Sequence, residues 1–413
     1  MYDLAVIGAW AEFAIRWLHV ITAIAWIGSS FYFIALDLGL HRDRNLATGA
    51  DGEEWQVHGG GFYHIQKYLV APANMPDGLV WFKWESYATW LSGFALLAVV
   101  YYLGAEFYLI DPAVMDLSVP GAIAISVASL AFGWLAYNTL CKIFVEANQT
   151  LLMVALFGLL VGMSYFYANV FSGRAALLHL GAFTATIMSA NVFMIIIPNQ
   201  KIVVADLIAG RKPDPQFGKI AKQRSTHNNY LTLPVIFLML SNHYPLAFAS
   251  QWNWVIAALV FLMGVTIRHF FNSQHARRGT PWWTWAATAI IFVLIMWLST
   301  APMFQTDQRH EAQGPALRFA QAQGFDAARD IVLGRCSMCH AAEPGWEGLH
   351  WAPKGVLLET DHQIASHARA IYLQAGISHA MPPANLSFIE PEERAQIVAW
   401  YRNAIGAGTP VVQ

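Results

Sequence analysis

Five consecutive residues, Cys336, Ser337, Met338, Cys339 and His340, have the types and spacing to do redox chemistry. Two thiols separated by two residues can bond the two vinyl groups of one porphyrin, and the imidazole that comes directly after them is aimed at the iron from one face. Half of a zinc site or a redox dithiol would also use such a pair. No second pair exists, because Cys141 is the only other cysteine. One covalent haem c on Cys336, Cys339 and His340 is therefore expected. Its sixth ligand should come from a later loop, and in Met381-Pro382-Pro383 two prolines stiffen the chain beside a thioether. His350, His362, His367 and His379 compete with Met381 as the second axial ligand.

A second set of candidates sits in apolar surroundings, where an ionisable side chain is costly and so marks a functional position. His19, His179 and His243 fall in one half of the apolar segments and are the candidates for a haem b or substrate site. Arg16 lies three residues before His19 and hence on the same helix face, so Arg16 and His19 are the candidate catalytic pair. Arg16 could meet an anionic substrate or a haem propionate, or could simply pair with Glu12. For each histidine singly, the plainer reading is a hydrogen-bonded core residue. In the other half, the run Ser225 to Pro234 has more hydrogen-bonding capacity than a helix start requires, and its His227 and Asn229 are further candidates for the haem or substrate site. Cys141 reads as a small buried hydrophobe, and Thr184, Ser189 and Asn191 as contacts between helices. His58, His64, Lys67, Lys83, Glu85, Glu146, Asn148 and His269 read as interfacial anchors or loop residues.

The elements that must position these groups are mostly membrane spans. Hydrophobic residues make up 56% of the 413 and charged residues only 12%, about half the usual share of charge. A span needs about 20 mostly apolar residues. Eight such stretches lie near 10–36, 85–103, 119–140, 150–168, 174–197, 230–248, 252–271 and 282–300, with a long polar, glycine-rich loop after the first. Their connections and span ends carry fourteen lysines and arginines on one side and only Arg174 on the other. Basic loops stay cytoplasmic, so both termini are expected in the periplasm of a bacterium, with the protein in the inner membrane. Haem attachment outside the cytoplasmic membrane agrees independently. The net charge of -2 and the lack of a basic run give nucleic acid no footing as a partner.

After Pro302 the composition becomes that of a soluble unit. The expected organisation is a membrane domain over 1–303, a connector over 304–324, and an all-α cytochrome c domain of class I type over 325–413. Asp326 to Val332 reads as the helix that delivers the cysteines. A last helix starts near Pro391, a favoured first position, and Ile397, Trp400, Tyr401 and Ile405 should form one apolar face packed against it.

Trp17 to Gly28, Trp81 to Tyr87, Asn228 to Pro234 and the cytochrome motif together resemble the membrane-bound urate oxidases, also called urate hydroxylases, across essentially the whole chain. The resemblance implies conversion of urate to 5-hydroxyisourate in purine degradation. It also implies electrons passing to the fused cytochrome c and on to a soluble or membrane-bound cytochrome or terminal oxidase. Arg16 and His19 could supply the cation and base that a readily oxidised purine anion needs. Two other readings fit the residues alone. One is an electron-transfer subunit carrying haem b that relays electrons from quinol to cytochrome c. The other is a transporter with a redox sensor, which would favour an internal repeat that the sequence does not display.

Overall fold

The computed structural model describes residues 4–43, 45–69, 72, 75–76, 78–112, 114–144, 149–300, 314–346, 349 and 351–406. Residues 304–313 of the expected connector, and His350, Glu146 and Asn148, lie outside them.

The chain opens on α1 (Leu4–Gly39), whose apolar length suits a span, and then forms an antiparallel hairpin of β1 (Ala50–His58) and β2 (Gly61–Tyr68). This hairpin corrects the expectation of a polar loop in an all-α chain. Gly59 and Gly60 have φ of +59° and +81°, the left-handed pair that a two-residue hairpin turn demands. Opposite each other in the register, Trp55 and His64 stack with ring centroids 4.2 Å apart.

α2 (Trp84–Leu97) runs on through a π-helical stretch, Ala98–Tyr102, to the short α3 (Ala105–Tyr108). Then come α4 (Val119–Ile143) and α5 (Gln149–Ala168). α6 (Gly173–Ala190) passes through a second π-helical stretch, Asn191–Ile196, into α7 (Ile197–Ile208). α8 (Pro215–Ser241), the short α9 (Pro245–Phe248), α10 (Asn253–His275) and α11 (Trp283–Thr300) complete the apolar part.

Among the described residues, six helices are long and apolar enough to cross a membrane: Val6–Gly39, Val119–Ile143, Gln149–Ala168, Gly173–Ile208, Asn253–His275 and Trp283–Thr300. The other two expected spans are also helical but fall short for visible reasons. α2 carries the polar Glu85, Ser86 and Thr89 in its first two turns. α8 starts fifteen residues earlier than its apolar run, because Asp214 caps it at the Gln216 N–H and Pro215 takes a first-turn position. Its first half is polar.

The largest core gathers α2 to α6 around Tyr137, Tyr167, Phe171 and Phe183, all essentially solvent-free. Close backbone approach is built in where needed. A Cβ on Gly264 of α10 would lie 2.5 Å from the Pro234 ring of α8, so glycine there lets these two helices touch.

A separate core holds α12 (Ala316–Ala320), α13 (Phe325–Arg335), α14 (Asp361–Ser366), α15 (Ala368–Ile371) and α16 (Pro391–Gly406). The helix expected before the cysteines is α13, with Cys336 at its C-cap. On α16 the buried face is Ile397, Trp400, Tyr401 and Ala404, at i, i+3, i+4 and i+7. Ile405, expected in that face, is 46% exposed, since it points one residue's rotation away. Trp400 donates its indole N–H to the Phe319 carbonyl at 2.8 Å, and Arg335 bridges α13 to Glu393 of α16 at 3.0 Å. The unit meets the apolar bundle where Gly355 lies against Pro245 and Phe107 against Phe319.

Candidate functional site

Polar side chains cluster at four places. Near the N-terminal end of α1, Arg16 reaches Glu12 at 2.5 Å, and His19 donates from Nδ1 to the Thr89 carbonyl at 3.1 Å, with Ser92 Oγ at 3.2 Å. A Cβ on Gly93 would fall 2.8 Å from the His19 ring, so α2 is shaped to accept that imidazole. α1 is half-exposed along this face.

His179 is solvent-free within α6 and uses both ring nitrogens, Nδ1 on the Ala175 carbonyl and Nε2 on Ser126 Oγ, each at 2.8 Å. Neither nitrogen is left for an iron in this arrangement. His243 is exposed just beyond the end of α8. The structure shows no contact joining His19, His179 and His243 among the described residues.

The third place, in the opposite half of the bundle, is denser. Arg224, His227, Asn228 and Asn229 of α8 are all buried, at 3%, 6%, 5% and 0% exposure. His227 Nδ1 lies 2.9 Å from the Tyr137 hydroxyl and 4.0 Å from Cys141 Sγ. The same hydroxyl accepts from Asn191 Nδ2 at 2.9 Å, and Asn191 also donates to Asn228 Oδ1 at 2.9 Å. Arg224 lies over the Tyr137 ring at 4.9 Å and donates to Asn191 Oδ1 at 3.3 Å and to Asn138 Oδ1 at 2.8 Å. One helix away, Arg268 of α10, 5% exposed, donates to Asn229 Oδ1 at 3.4 Å and to Asn272 Oδ1 at 3.0 Å. Its guanidinium covers the Phe31 ring at 4.0 Å.

Neither guanidinium has an ion pair with a carboxylate among the described residues. Asn191, expected to be a simple helix contact, opens the π-helical stretch of α6, a distortion that often marks a functional turn. A cavity of about 60 Å³ borders the cluster at Tyr137, His227 and Tyr230.

Arg224 and Arg268 are the functional candidates that sequence reading misses, since counting loop charges assigns both to a watery surface. The signals that could have found them are the three-residue spacing of Arg224 from His227 and the position of Arg268 inside an apolar helix.

The fourth place is in the C-terminal core. Cys336 and Cys339 are both free thiols. Burial pushes the Cys336 thiol up to about 11, so it is protonated at neutral pH, unlike a working redox thiolate. No three His, Cys, Asp or Glu side chains gather to hold a bare metal ion among the described residues. His340 donates from Nδ1 to the Val356 carbonyl at 2.8 Å, the bond that orients a metal-binding imidazole and leaves Nε2 to the metal.

Arg394, 7% exposed, holds the Met381 loop, with bonds to the Ala375 carbonyl, to the Met381 carbonyl at 2.9 Å and to Asn385 Oδ1 at 3.1 Å. His367 spends Nδ1 on the Gln363 carbonyl at 2.8 Å, His362 lies near Ser366, and His379 is exposed. An open cleft of about 970 Å³ separates this unit from the bundle, lined on one side by Glu12, Tyr108 and Arg174 and on the other by Lys354, Val356 and His367.

Comparison with known proteins gives one family. The family model described as "Urate oxidase N-terminal" matches residues 5–299, from the first turn of α1 to the end of α11. No curated protein and no solved structure matches the chain.

Proposed function

The chain belongs to the urate oxidase N-terminal family, and from that membership we propose that it is a membrane-bound urate oxidase that passes electrons to a haem c in its own C-terminal unit. The observation that carries this reading is the junction of two things in one chain. The family match ends at residue 299, and beyond it lies a helix delivering Cys336, Cys339 and an oriented His340. The eight expected spans, with α2 and α8 as the two less apolar ones, put both termini in the periplasm of a bacterial inner membrane. They also put the C-terminal unit beside soluble or membrane-bound cytochromes and oxidases that could accept its electrons.

The reaction balances as urate mono-anion plus water giving 5-hydroxyisourate, one proton and two electrons, the new bond joining water oxygen to ring carbon C5. The residues at hand fit a haem c: two free thiols, His340 with Nε2 unspent, and Met381 on a loop that Arg394 pins. When bound, the haem would accept electrons one at a time.

The rest falls to the chain. The bundle offers two arginine–histidine sets. Arg16 is occupied by Glu12 on a half-exposed helix face. Arg224 and His227 are buried, and His227 borders a cavity, where water exclusion strengthens every charge interaction. We assign the proton released from substrate to His227, which can share it with the Tyr137 hydroxyl 2.9 Å away. Turnover of purified protein with urate and excess oxidised cytochrome c tests the reading. Two acceptor equivalents consumed per 5-hydroxyisourate formed are expected; hydrogen peroxide in place of reduced acceptor would overturn it.

A further inference from the structure

We infer that Arg268, with Asn229 and Asn272, forms the site that anchors the urate anion; this inference rests on the urate reading. The argument is a count of donors and acceptors. Every carboxamide oxygen in the cluster, on Asn138, Asn191, Asn228, Asn229 and Asn272, already accepts an N–H. What remains are donors: the Nδ2 of Asn229 and the Nε of Arg224 are buried without a hydrogen-bond partner among the described residues. Asn229 itself is solvent-free.

Two buried guanidinium groups without a carboxylate partner among the described residues make this part of the bundle both cationic and donor-rich. A buried charge left uncompensated costs several kcal/mol, so the arrangement is completed by something that brings negative charge and acceptors together. A planar mono-anion with carbonyl oxygens and a deprotonated ring nitrogen has that pattern. Arg268 is the better anchor of the two, because Asn229 and Asn272 fix its plane and Phe31 backs its face at 4.0 Å. Tyr230, next to Asn229 on α8, borders the small cavity together with His227.

The test is urate binding to the full-length, haem-loaded protein reduced beforehand with dithionite, so that no turnover occurs. Calorimetry would give the affinity. Arg268→Gln should weaken binding by roughly ten- to a hundredfold, the worth of one charged hydrogen-bonding group, and Arg268→Lys by less. Asn229→Asp guards against misfolding: it places a carboxylate beside Arg268, so urate affinity should fall as far while thermal stability holds or rises. Wild-type affinity in both Arg268→Gln and Asn229→Asp would overturn the inference and leave the urate reading standing. A wild-type protein that neither binds urate nor is reduced by it would overturn the reading itself, and the inference with it.

Discussion

On the proposed haem c reading, Arg394 is the side chain that sets the chemistry of the C-terminal unit. It is buried and spends its guanidinium on three oxygens, one of them the carbonyl of Met381. Arg394→Ala should release that loop. The expected outcome is a reduced protein that binds carbon monoxide at the vacated axial position and has a lower haem potential, with covalent haem content unchanged.

Glu393 gives a pH dependence. Burial alone would raise its carboxyl, but the Glu390 N–H and then the Arg335 guanidinium outweigh burial and hold it below the usual carboxylate value. A carboxyl lowered by folding stabilises above its unfolded value, near 4.5, and loses that contribution as pH falls through the folded value. Glu393→Gln should therefore lower the denaturant stability of the C-terminal unit at neutral pH, and the difference from wild type should shrink as the pH falls below about 4.5.

The Cys336 to His340 motif proposed to hold haem is legible in the sequence because its residues are contiguous, and Met381 is proposed as its ligand from the two prolines that follow it. Arg394 is not legible there, because its role depends on a carbonyl thirteen residues away being folded back onto it.

Helix contacts decide whether the buried cluster exists at all. A Cβ on Gly264 would meet the Pro234 ring at 2.5 Å, whereas one on Gly162 of α5 meets nothing within 4 Å. Gly264→Ala should destabilise the bundle by about 1–3 kcal/mol through overpacking. Gly162→Ala should be neutral or stabilising by up to about 1 kcal/mol, since alanine favours helix. Thermal unfolding in detergent compares them directly.

At this scale the sequence shows its apolar runs well, because lipid selects them by composition alone. It does not show that α8 extends back to Pro215, since its polar first half reads as loop until its neighbours satisfy it. Arg224 and Arg268 mislead for the same reason, as a lysine or arginine at the edge of a span is usually solvated. The hairpin was legible in principle from the glycine run at Gly59-Gly60-Gly61, but no alternation strong enough flanks it.

For the whole molecule, the arrangement of parts is the functional claim: a urate-oxidase-family bundle carrying, on the face where Gly355 meets Pro245, the unit proposed to bind haem. Loop charge indicates the same arrangement from sequence, and two of its fourteen cations prove to be interior without reversing the bias. The cleft between the parts, about 970 Å³, is not legible from either part alone. The most direct test is the visible spectrum of the oxidised, purified protein under anaerobic conditions, recorded before and after urate is added, alongside a haem extraction assay. The account requires the non-extractable c-type band to become reduced by urate and not by a quinol. Reduction by quinol alone, with extractable b-type haem, would contradict it and leave a respiratory electron carrier.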